Sequence, residues 1–297
     1  MKIGVVGIGR MGSAITTRLL GLGHEVTVWN RTPDKTRPLV AAGATSAATP
    51  AAVATRSEAV ISIVSDAQAI ASAYEGLQGL LHGEPAGKLF IEMSTVRPDV
   101  QRALAPKVRA AGAAFVECPV GGTVGPAREG KLFGFVGGEP EDVARARPLL
   151  EQLCRRVEHV GPVGAGATVK LAINLPLLVY WQALGEALAL CGPLDIEQTR
   201  LMDIFADTSG GTNAVKGRGP AIAAVMKGGA PGPVASDVEL ARKDLAAMIE
   251  EAEALGVKLP VSASALECYD AAVREGRGGS DMSLVPVELY AKTRRRR

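Results

Sequence analysis

The chain is poor in the residues that most often carry metal and acid–base chemistry. It has only three histidines, His24, His82 and His159, and four cysteines that lie far apart at positions 118, 154, 191 and 268. Neither a Cys-x-x-Cys pair nor a mixed Cys/His cluster occurs, so a zinc site and a disulfide framework are both unexpected. With so few histidines, an enzyme built from this chain needs a proton donor of another kind.

Strong charge of one sign and an uninterrupted apolar run are also missing. A net charge of +2 does not point to nucleic acid, and we expect neither a nucleic-acid nor a membrane partner. Positive charge collects only in residues 293–297, which we expect to be frayed. The longest apolar run, 169–191, is broken by polar residues and a proline, so it predicts a buried helix rather than a membrane span. With no signal-peptide pattern at the N-terminus, we expect a cytoplasmic protein.

A chain of 297 residues predicts two domains, because single cores usually stop growing below this length. We place a dinucleotide-binding domain at 1–162 and an all-helical domain for substrate binding and oligomerisation at 163–297. A helix over 165–191 bridges them.

A glycine turn opens the first domain. The apolar run 2–6 is followed by Gly7-Ile8-Gly9-Arg10-Met11-Gly12, then by a helical pattern and a second apolar run at 25–29. In this strand–turn–helix context, the glycines permit a tight turn, close approach of a pyrophosphate and close helix packing. The turn predicts a dinucleotide cofactor, and a glycine turn without a ligand is the alternative.

The residues after the second strand indicate which nicotinamide cofactor binds. An acidic residue there would bond the ribose 2′-hydroxyl, but this chain has Asn30, Arg31 and Thr32. Since a guanidinium matches phosphate geometry, we predict NADP(H) over NAD(H). A solvated turn arginine is the alternative.

Strand and helix patterns then alternate. Strands at 59–64, 89–93 and 114–118 and helices at 34–42, 67–74 and 99–111 predict a mainly parallel sheet covered on both faces. Ligands of such sheets lie beyond the carboxyl ends of the strands, so Val64, Ser65, Thr95 and the segment 119–123 should face the cofactor.

Two further segments are candidates for substrate binding and catalysis, one rich in glycine and one with two polar residues on a helix. The segment 117–132 is dense in glycine, and its backbone could bind a carboxylate, although a hairpin turn leading into 132–136 is the alternative. In 164–174, Lys170 and Asn174 share one helix face amid apolar residues; the alternative is a solvated helix edge. We expect desolvation to lower the Lys170 pKa toward neutrality.

The second half predicts only helices, at 196–206, 214–226, 236–255, 262–274 and 284–292. Ser236 and Glu239 predict a capping box for the third of them, and Gly256 should end it. The bridging helix is apolar on nearly every side, which predicts burial all round and a homodimer or homotetramer.

Four motifs in order resemble the β-hydroxyacid dehydrogenase family, which includes 3-hydroxyisobutyrate dehydrogenases, tartronate semialdehyde reductases and reductases of glyoxylate or succinic semialdehyde. The motifs lie at 7–12, 119–132, 164–174 and 243–245, and the resemblance spans residues 2 to about 291. It implies a Rossmann domain followed by a helical domain, as in 6-phosphogluconate dehydrogenase.

The resemblance also implies roles for individual residues. Lys170 matches the catalytic lysine, Asn174 the substrate-binding asparagine, and Lys243 a lysine over the cofactor and substrate. Gly121, Gly122 and Thr123 match the loop that holds the substrate carboxylate, and Thr95 matches a cofactor-side residue.

The chain departs from the family pattern at several positions. Gly121 stands where serine is common, Thr123 where glycine is common, and Leu175 where a second asparagine is common. Pro176 cannot donate a backbone hydrogen bond, so we predict a kink there.

These observations predict an NADP-dependent oxidoreductase that acts on a small hydroxy acid or aldehyde acid, with Lys170 as general acid or base. An imine reductase on the same scaffold is the first alternative. A non-catalytic NADPH-binding scaffold is the second.

Overall fold

The computed structural model describes residues 1–294. Of the tail that we expected to be frayed, Thr293 and Arg294 end the last helix, so the expectation is wrong for them. The last three arginines lie outside the described residues. Contacts divide the chain into a first unit, Met1–Ala172, and a second unit, Ile173–Arg297. The division falls within one long helix.

Nine strands of the first unit join in one sheet. They are β1 (Lys2–Val6), β2 (Glu25–Trp29), β3 (Thr45–Ser46), β4 (Ala59–Ser62), β5 (Leu89–Glu92), β6 (Ala114–Glu117), β7 (Val120–Gly121), β8 (Leu132–Gly138) and β9 (Cys154–Gly161). The order is β3-β2-β1-β4-β5-β6-β8-β7, and β9 pairs with β8. Pairing is parallel from β3 to β6 and antiparallel where β8 joins β6 and β7, which confirms the predicted mainly parallel sheet.

Seven helices accompany these strands. They are α1 (Arg10–Gly21), α2 (Arg37–Ala41), α3 (Pro50–Thr55), α4 (Ala67–Glu75), α5 (Pro98–Ala110), α6 (Val124–Glu129) and α7 (Pro140–Leu153). Two apolar clusters, one including Ile15 and Ile91 and the other Phe90 and Phe115, hold the strands and helices together. A mainly parallel sheet packed against helices through two apolar clusters is typical of doubly wound folds.

The register of the parallel strands brings their carboxyl ends to one edge. Val6 lies opposite Trp29 and Ser62, Ser62 lies opposite Glu92, and Glu92 lies opposite Glu117. The loops that follow β1, β2, β4, β5 and β6 therefore leave from the same edge, as the sequence predicts.

Helices follow β9 to the end of the described chain. They are α8 (Ala165–Cys191), α9 (Gln198–Ala206), α10 (Asn213–Met226), α11 (Val238–Ala254), α12 (Pro260–Arg274) and α13 (Glu288–Arg294). The core of the second unit includes Trp181, Leu188, Ile222 and Tyr290. The predicted helical second half is confirmed.

The bounds of α8 agree with the predicted 165–191, and the helix continues through Pro176 without a break. Length and composition alone would allow α8 to cross a membrane, a test that the core helix of a soluble protein also passes. Only 33% of its most apolar window is buried, so the predicted burial on every side is not met within one chain.

Local details differ from several predictions. The cap of α11 is Asp237, whose carboxylate accepts from the Leu240 amide, so the predicted Ser236–Glu239 capping box is wrong. Gly256 follows this helix with φ +75°, as expected of a helix-ending glycine. The predicted helix over 34–42 begins as a 3-10 turn, Pro33–Thr36, before α2.

Candidate active site

The glycine turn joins β1 to α1 by a close approach that side chains would prevent. Gly7 has φ +99°, and a Cβ there would collide with the Ile63 carbonyl oxygen. A Cβ on Gly12 would collide with the Gly7 carbonyl oxygen, whereas one on Gly9 would meet nothing within 4 Å. Gly9 is exposed at the start of α1, so a pyrophosphate can reach the first free amides of that helix. The turn fits the predicted dinucleotide.

Asn30 holds the glycine turn in place by hydrogen bonds, a role that the sequence did not predict. Its Oδ1 accepts from the Ile8 amide at 2.9 Å, and its Nδ2 donates to the Thr32 carbonyl at 3.0 Å. The side chain therefore locks the glycine turn to the end of β2. Arg31 and Thr32 are exposed, beside a cavity lined in part by Trp29 and Asn30.

Hydrogen bonds join the ends of β4 and β5. The Ser94 hydroxyl accepts from the Val64 amide at 2.8 Å and donates to Glu92 Oε1 at 2.5 Å. Gln101 Nε2 donates to the other oxygen of Glu92 at 2.5 Å. The buried Glu92 thus fixes the loops that carry Val64 and Thr95, two of the predicted cofactor-side residues. Burial raises the pKa of its carboxyl group, against the lowering effect of these donors.

The glycine-rich segment forms a strand, a turn and a short helix. Gly121 lies in β7, opposite Phe133, and Gly122 follows with φ +120°. Thr123 is exposed and precedes α6, whose presence the sequence did not reveal. The hairpin alternative is correct for the antiparallel pairing of β7 with β8, and residues 122 and 123 are exposed between this pair and α6.

Lys170 lies in the second turn of α8 with 8% of its surface exposed. The solvated-edge alternative is therefore wrong for this residue. The helix that carries it begins beside β6, where Glu117 Oε1 accepts from the amides of Gly164 at 2.5 Å and Gly166 at 2.9 Å. Burial raises the pKa of Glu117 to about 7, although the amides of the first helical turn lower it.

The second unit contains the other two predicted polar residues. Asn174 is half-buried in α8, one turn after Lys170. Lys243 is half-buried in α11, where its ammonium lies 2.8 Å from the carboxylate of the buried Asp244. Within residues 1–294, no group of three or more His, Cys, Asp or Glu side chains could hold a metal ion.

Comparisons with known proteins match both halves. Residues 2–161 match the family described as the NAD-binding domain of 6-phosphogluconate dehydrogenase, and residues 164–287 match the NAD-binding family of NADP-dependent 3-hydroxyisobutyrate dehydrogenase. The 3-hydroxyisobutyrate dehydrogenase of Pseudomonas aeruginosa is 34% identical over 90% of this chain and 90% of its own. The chain belongs to the β-hydroxyacid dehydrogenase family.

Two more relatives extend the match. Glyoxylate/succinic semialdehyde reductase 1 of Arabidopsis thaliana is 32% identical over 96% of this chain and 97% of its own. A 3-hydroxyisobutyrate dehydrogenase structure from Salmonella typhimurium has a TM-score of 0.86 at 25% identity, covering 96% of this chain and 99% of its own. Imine reductases are more distant in structure, with TM-scores of 0.61 and 0.63. This β-hydroxyacid dehydrogenase is thus an NAD(P)-dependent oxidoreductase with the predicted fold.

Sequence reasoning missed the two buried carboxyls of this β-hydroxyacid dehydrogenase. Glu92 and Glu117 each end a strand whose other members are apolar, as in Leu-Phe-Ile-Glu and Ala-Phe-Val-Glu. An acidic residue that ends a buried strand is rarely left without partners, and that signal could have identified both.

Proposed function

We propose that this enzyme is an NADP-dependent reductase of a small aldehyde acid or keto acid, with Lys170 as the general acid. The observation that carries the proposal is the burial of Lys170, which has 8% of its surface exposed, early in α8. Lys170 also stands at the position of the family's catalytic lysine, and the chain offers no histidine spaced to donate the proton instead. Small hydroxy acids and semialdehydes appear in the names of its relatives.

The proposed chemistry divides between cofactor and protein. A bound nicotinamide supplies the hydride for the carbonyl carbon. Lys170 donates a proton to the carbonyl oxygen, and Asn174, one turn along the same helix, orients Lys170 or the substrate. The substrate carboxylate is bound by the backbone of Gly121 and Gly122 and by Thr123, whose hydroxyl replaces the serine common at position 121.

The proposed preference for NADP(H) rests on Arg31. Its guanidinium is exposed at the end of β2, where a ribose 2′-phosphate would lie in this fold. The Asn30 side chain already bonds Ile8 and Thr32, so we assign the phosphate first to the guanidinium of Arg31 and the hydroxyl of Thr32. Val64, Ser65, Thr95 and Lys243 stay predictions as cofactor contacts.

We also propose that the enzyme works as a homodimer or homotetramer. Ile173 and Leu190 of α8 are 49% and 82% exposed in the single chain, and a second subunit would cover such apolar side chains. Sedimentation of the purified protein measures this directly.

The test is NADPH oxidation with glyoxylate, succinic semialdehyde, tartronate semialdehyde, methylmalonate semialdehyde and a cyclic imine. We expect turnover of an aldehyde acid, and Lys170→Ala should lower kcat by about 10²-fold or more while NADPH still binds. Lys216→Ala, which removes an exposed lysine of α10 with no proposed site role, is the control for loss of a lysine. Retention of more than about a tenth of kcat by Lys170→Ala would exclude the general-acid role. Turnover of the imine alone would favour an imine reductase, and no turnover at all would favour a binding scaffold.

A further inference from the structure

A buried carboxylate lies against the beginning of the helix that carries Lys170. Glu117 is the last residue of β6 and is fully buried. One of its oxygens, Oε1, receives two amide hydrogens from the chain just before and within the first turn of α8, those of Gly164 and Gly166. Both donors belong to groups that a helix leaves without internal partners at its N-terminus.

The surrounding chain leaves just enough room for this contact. A Cβ on Gly137 would collide with Glu117 Oε1 and lie 2.9 Å from the Pro162 carbonyl oxygen. A Cβ on Gly166 would collide with the Phe135 carbonyl oxygen and lie 3.3 Å from Glu117 Oε1. Strands β6 and β8 therefore approach the helix closely at the carboxylate, and a displaced carboxylate would have little alternative space.

The geometry of α8 links the position of the Gly166 amide to that of Lys170. Gly166 and Lys170 are four residues apart, so they lie one above the other on the same face of α8, about 6 Å apart along its axis. A carboxylate that fixes the Gly166 amide also fixes the start of the turn that presents Lys170. Its negative charge additionally matches the positive end of the helix dipole.

We propose that Glu117 is a positioning residue, which holds the first turn of α8 against β6 and thereby sets the place of the Lys170 ammonium. The inference rests on the proposed role of Lys170. It assigns Glu117 no contact with substrate or cofactor. A displacement of about 1 Å at a reacting group can cost about 10²-fold in rate, so this support should affect turnover more than binding.

Titratable or charged groups lie on each element next to this contact. Glu92 lies on β5, Cys118 directly follows Glu117, and His159 lies on β9, which pairs with β8. Arg102 of α5 lies beside Gly164, since a Cβ on that glycine would stand 2.6 Å from its Nε, and Lys170 lies one turn after Gly166 in α8. Glu92 lies opposite Glu117 in the sheet register, and its charge disfavours ionisation of Glu117. Burial is the main reason that the pKa of Glu117 is raised, and the amides of Gly164, Gly166 and Ala167 oppose it by favouring the ionised form.

The experiment compares the wild-type enzyme with Glu117→Gln in two assays. The first follows kcat and KM with NADPH and the aldehyde acid that gives the fastest turnover, from about pH 5 to about pH 9, on both sides of the range where the wild-type carboxyl titrates. The second follows hydrogen exchange, at one fixed pH, of the peptide that contains residues 164–170. Glutamine keeps the shape and an acceptor oxygen but removes the charge.

Above about pH 7, where the wild-type carboxyl is ionised, we expect Glu117→Gln to lower kcat by about tenfold with KM changed by less than about threefold, and to speed exchange of the first helical turn by about tenfold. In the wild type, kcat should fall as the pH drops below about 7 and Glu117 becomes protonated, and this fall should be absent in Glu117→Gln. The control is Glu197→Gln, which neutralises a carboxylate that accepts from the Arg200 amide at the start of α9, a helix without a proposed site residue. That variant should leave both readouts unchanged.

The outcomes separate this inference from the proposed function. If Lys170→Ala loses turnover but Glu117→Gln keeps kcat or the exchange rate of residues 164–170 within about twofold, the positioning role is overturned and the general-acid role stands. If Lys170→Ala keeps its turnover, the general-acid role itself fails. Should Glu117→Gln not fold, Glu117→Asp retracts the carboxylate by one methylene and is measured in the same two assays, with the same criteria.

Discussion

Replacing Glu117 by glutamine should stabilise the first unit above neutral pH. In the folded protein, burial raises the pKa of this carboxyl from 4.5 to about 7, and neighbouring Glu92 adds to the rise, while the amides of Gly164, Gly166 and Ala167 oppose it. The folded state therefore holds a proton on Glu117 over a pH range in which the unfolded chain has already lost it. Glutamine resembles the protonated side chain at every pH.

The magnitude follows from the difference between the two pKa values. One pH unit is worth about 1.4 kcal/mol, so the step from 4.5 to about 7 corresponds to about 3 kcal/mol of unfolding free energy. Because the folded pKa is raised, this stability is fully present below about pH 4.5 and is lost as the pH rises through about 7. Relative to wild type, Glu117→Gln should gain about 3 kcal/mol over that interval. The pKa of Glu92 is also raised, but Glu92 remains in both proteins and largely cancels in the comparison.

The assay has to report on the first unit alone, because two units need not unfold together. The chain has two tryptophans, Trp29 in the first unit and Trp181 in the second. In a Trp181→Phe background, urea unfolding followed by fluorescence reports on Trp29. We would measure both proteins at about pH 5 and about pH 8.5, on the two sides of the folded pKa. A stability difference that stays constant between these pH values would refute the reasoning.

Three shorter predictions test other parts of the structure. Arg31→Ala should weaken NADPH binding about tenfold, as measured by fluorescence titration, and leave NADH binding nearly unchanged, since only NADPH carries a ribose 2′-phosphate. Equal weakening of both cofactors contradicts the assignment. Gly12→Ala should abolish NADPH binding because its Cβ collides with the Gly7 carbonyl, whereas Gly21→Ala, with nothing within 4 Å, should leave binding intact; normal binding by Gly12→Ala would refute this. Glu197→Gln should destabilise the second unit at neutral pH but not below about pH 2. A hydrogen bond from Lys227 lowers the pKa of Glu197 to about 2, so the stability that the carboxylate contributes is lost as the pH falls through that value. Trp181 fluorescence in urea measures the unfolding free energy of the second unit, and equal losses at both pH values would contradict the prediction.

The sequence predicts the core elements best where apolar runs are long and bounded by turn residues. The predicted strands at 2–6 and 25–29 agree with β1 and β2, and the predicted helix at 165–191 agrees with α8. Buried parallel strands read as continuous branched apolar runs, and a helix that carries apolar residues for seven turns has no competing pattern. The glycine turn was predictable because its three glycines lie between a strand and a helix.

Short elements and polar contacts were predicted less well. Helix α3 has only six residues, rich in alanine, and α6 lies in a glycine-rich segment, so neither shows a helical period. Ser236 and Asp237 can both cap a helix, and the sequence alone does not decide between neighbours. Most of the site depends on contacts between distant residues: Asn30 binds the amide of Ile8, 22 positions away.

The effect of Glu117 on the unfolding free energy can be separated from its effect on the position of Lys170. The partner of Glu117, Gly164, lies 47 positions away, a pairing that no local pattern predicts. Once the sheet and α8 bring Glu117 and Gly164 together, burial makes the ionised form of Glu117 costly. If residue 117 served only the stability of the fold, glutamine would give the higher unfolding free energy at this position. A positioning role predicts the opposite ranking for turnover, because a charged acceptor binds amides more strongly than a neutral one. Glu117→Gln should therefore raise the unfolding free energy and lower kcat in the same protein above pH 7, two changes of opposite sense that a loss of folding cannot produce together.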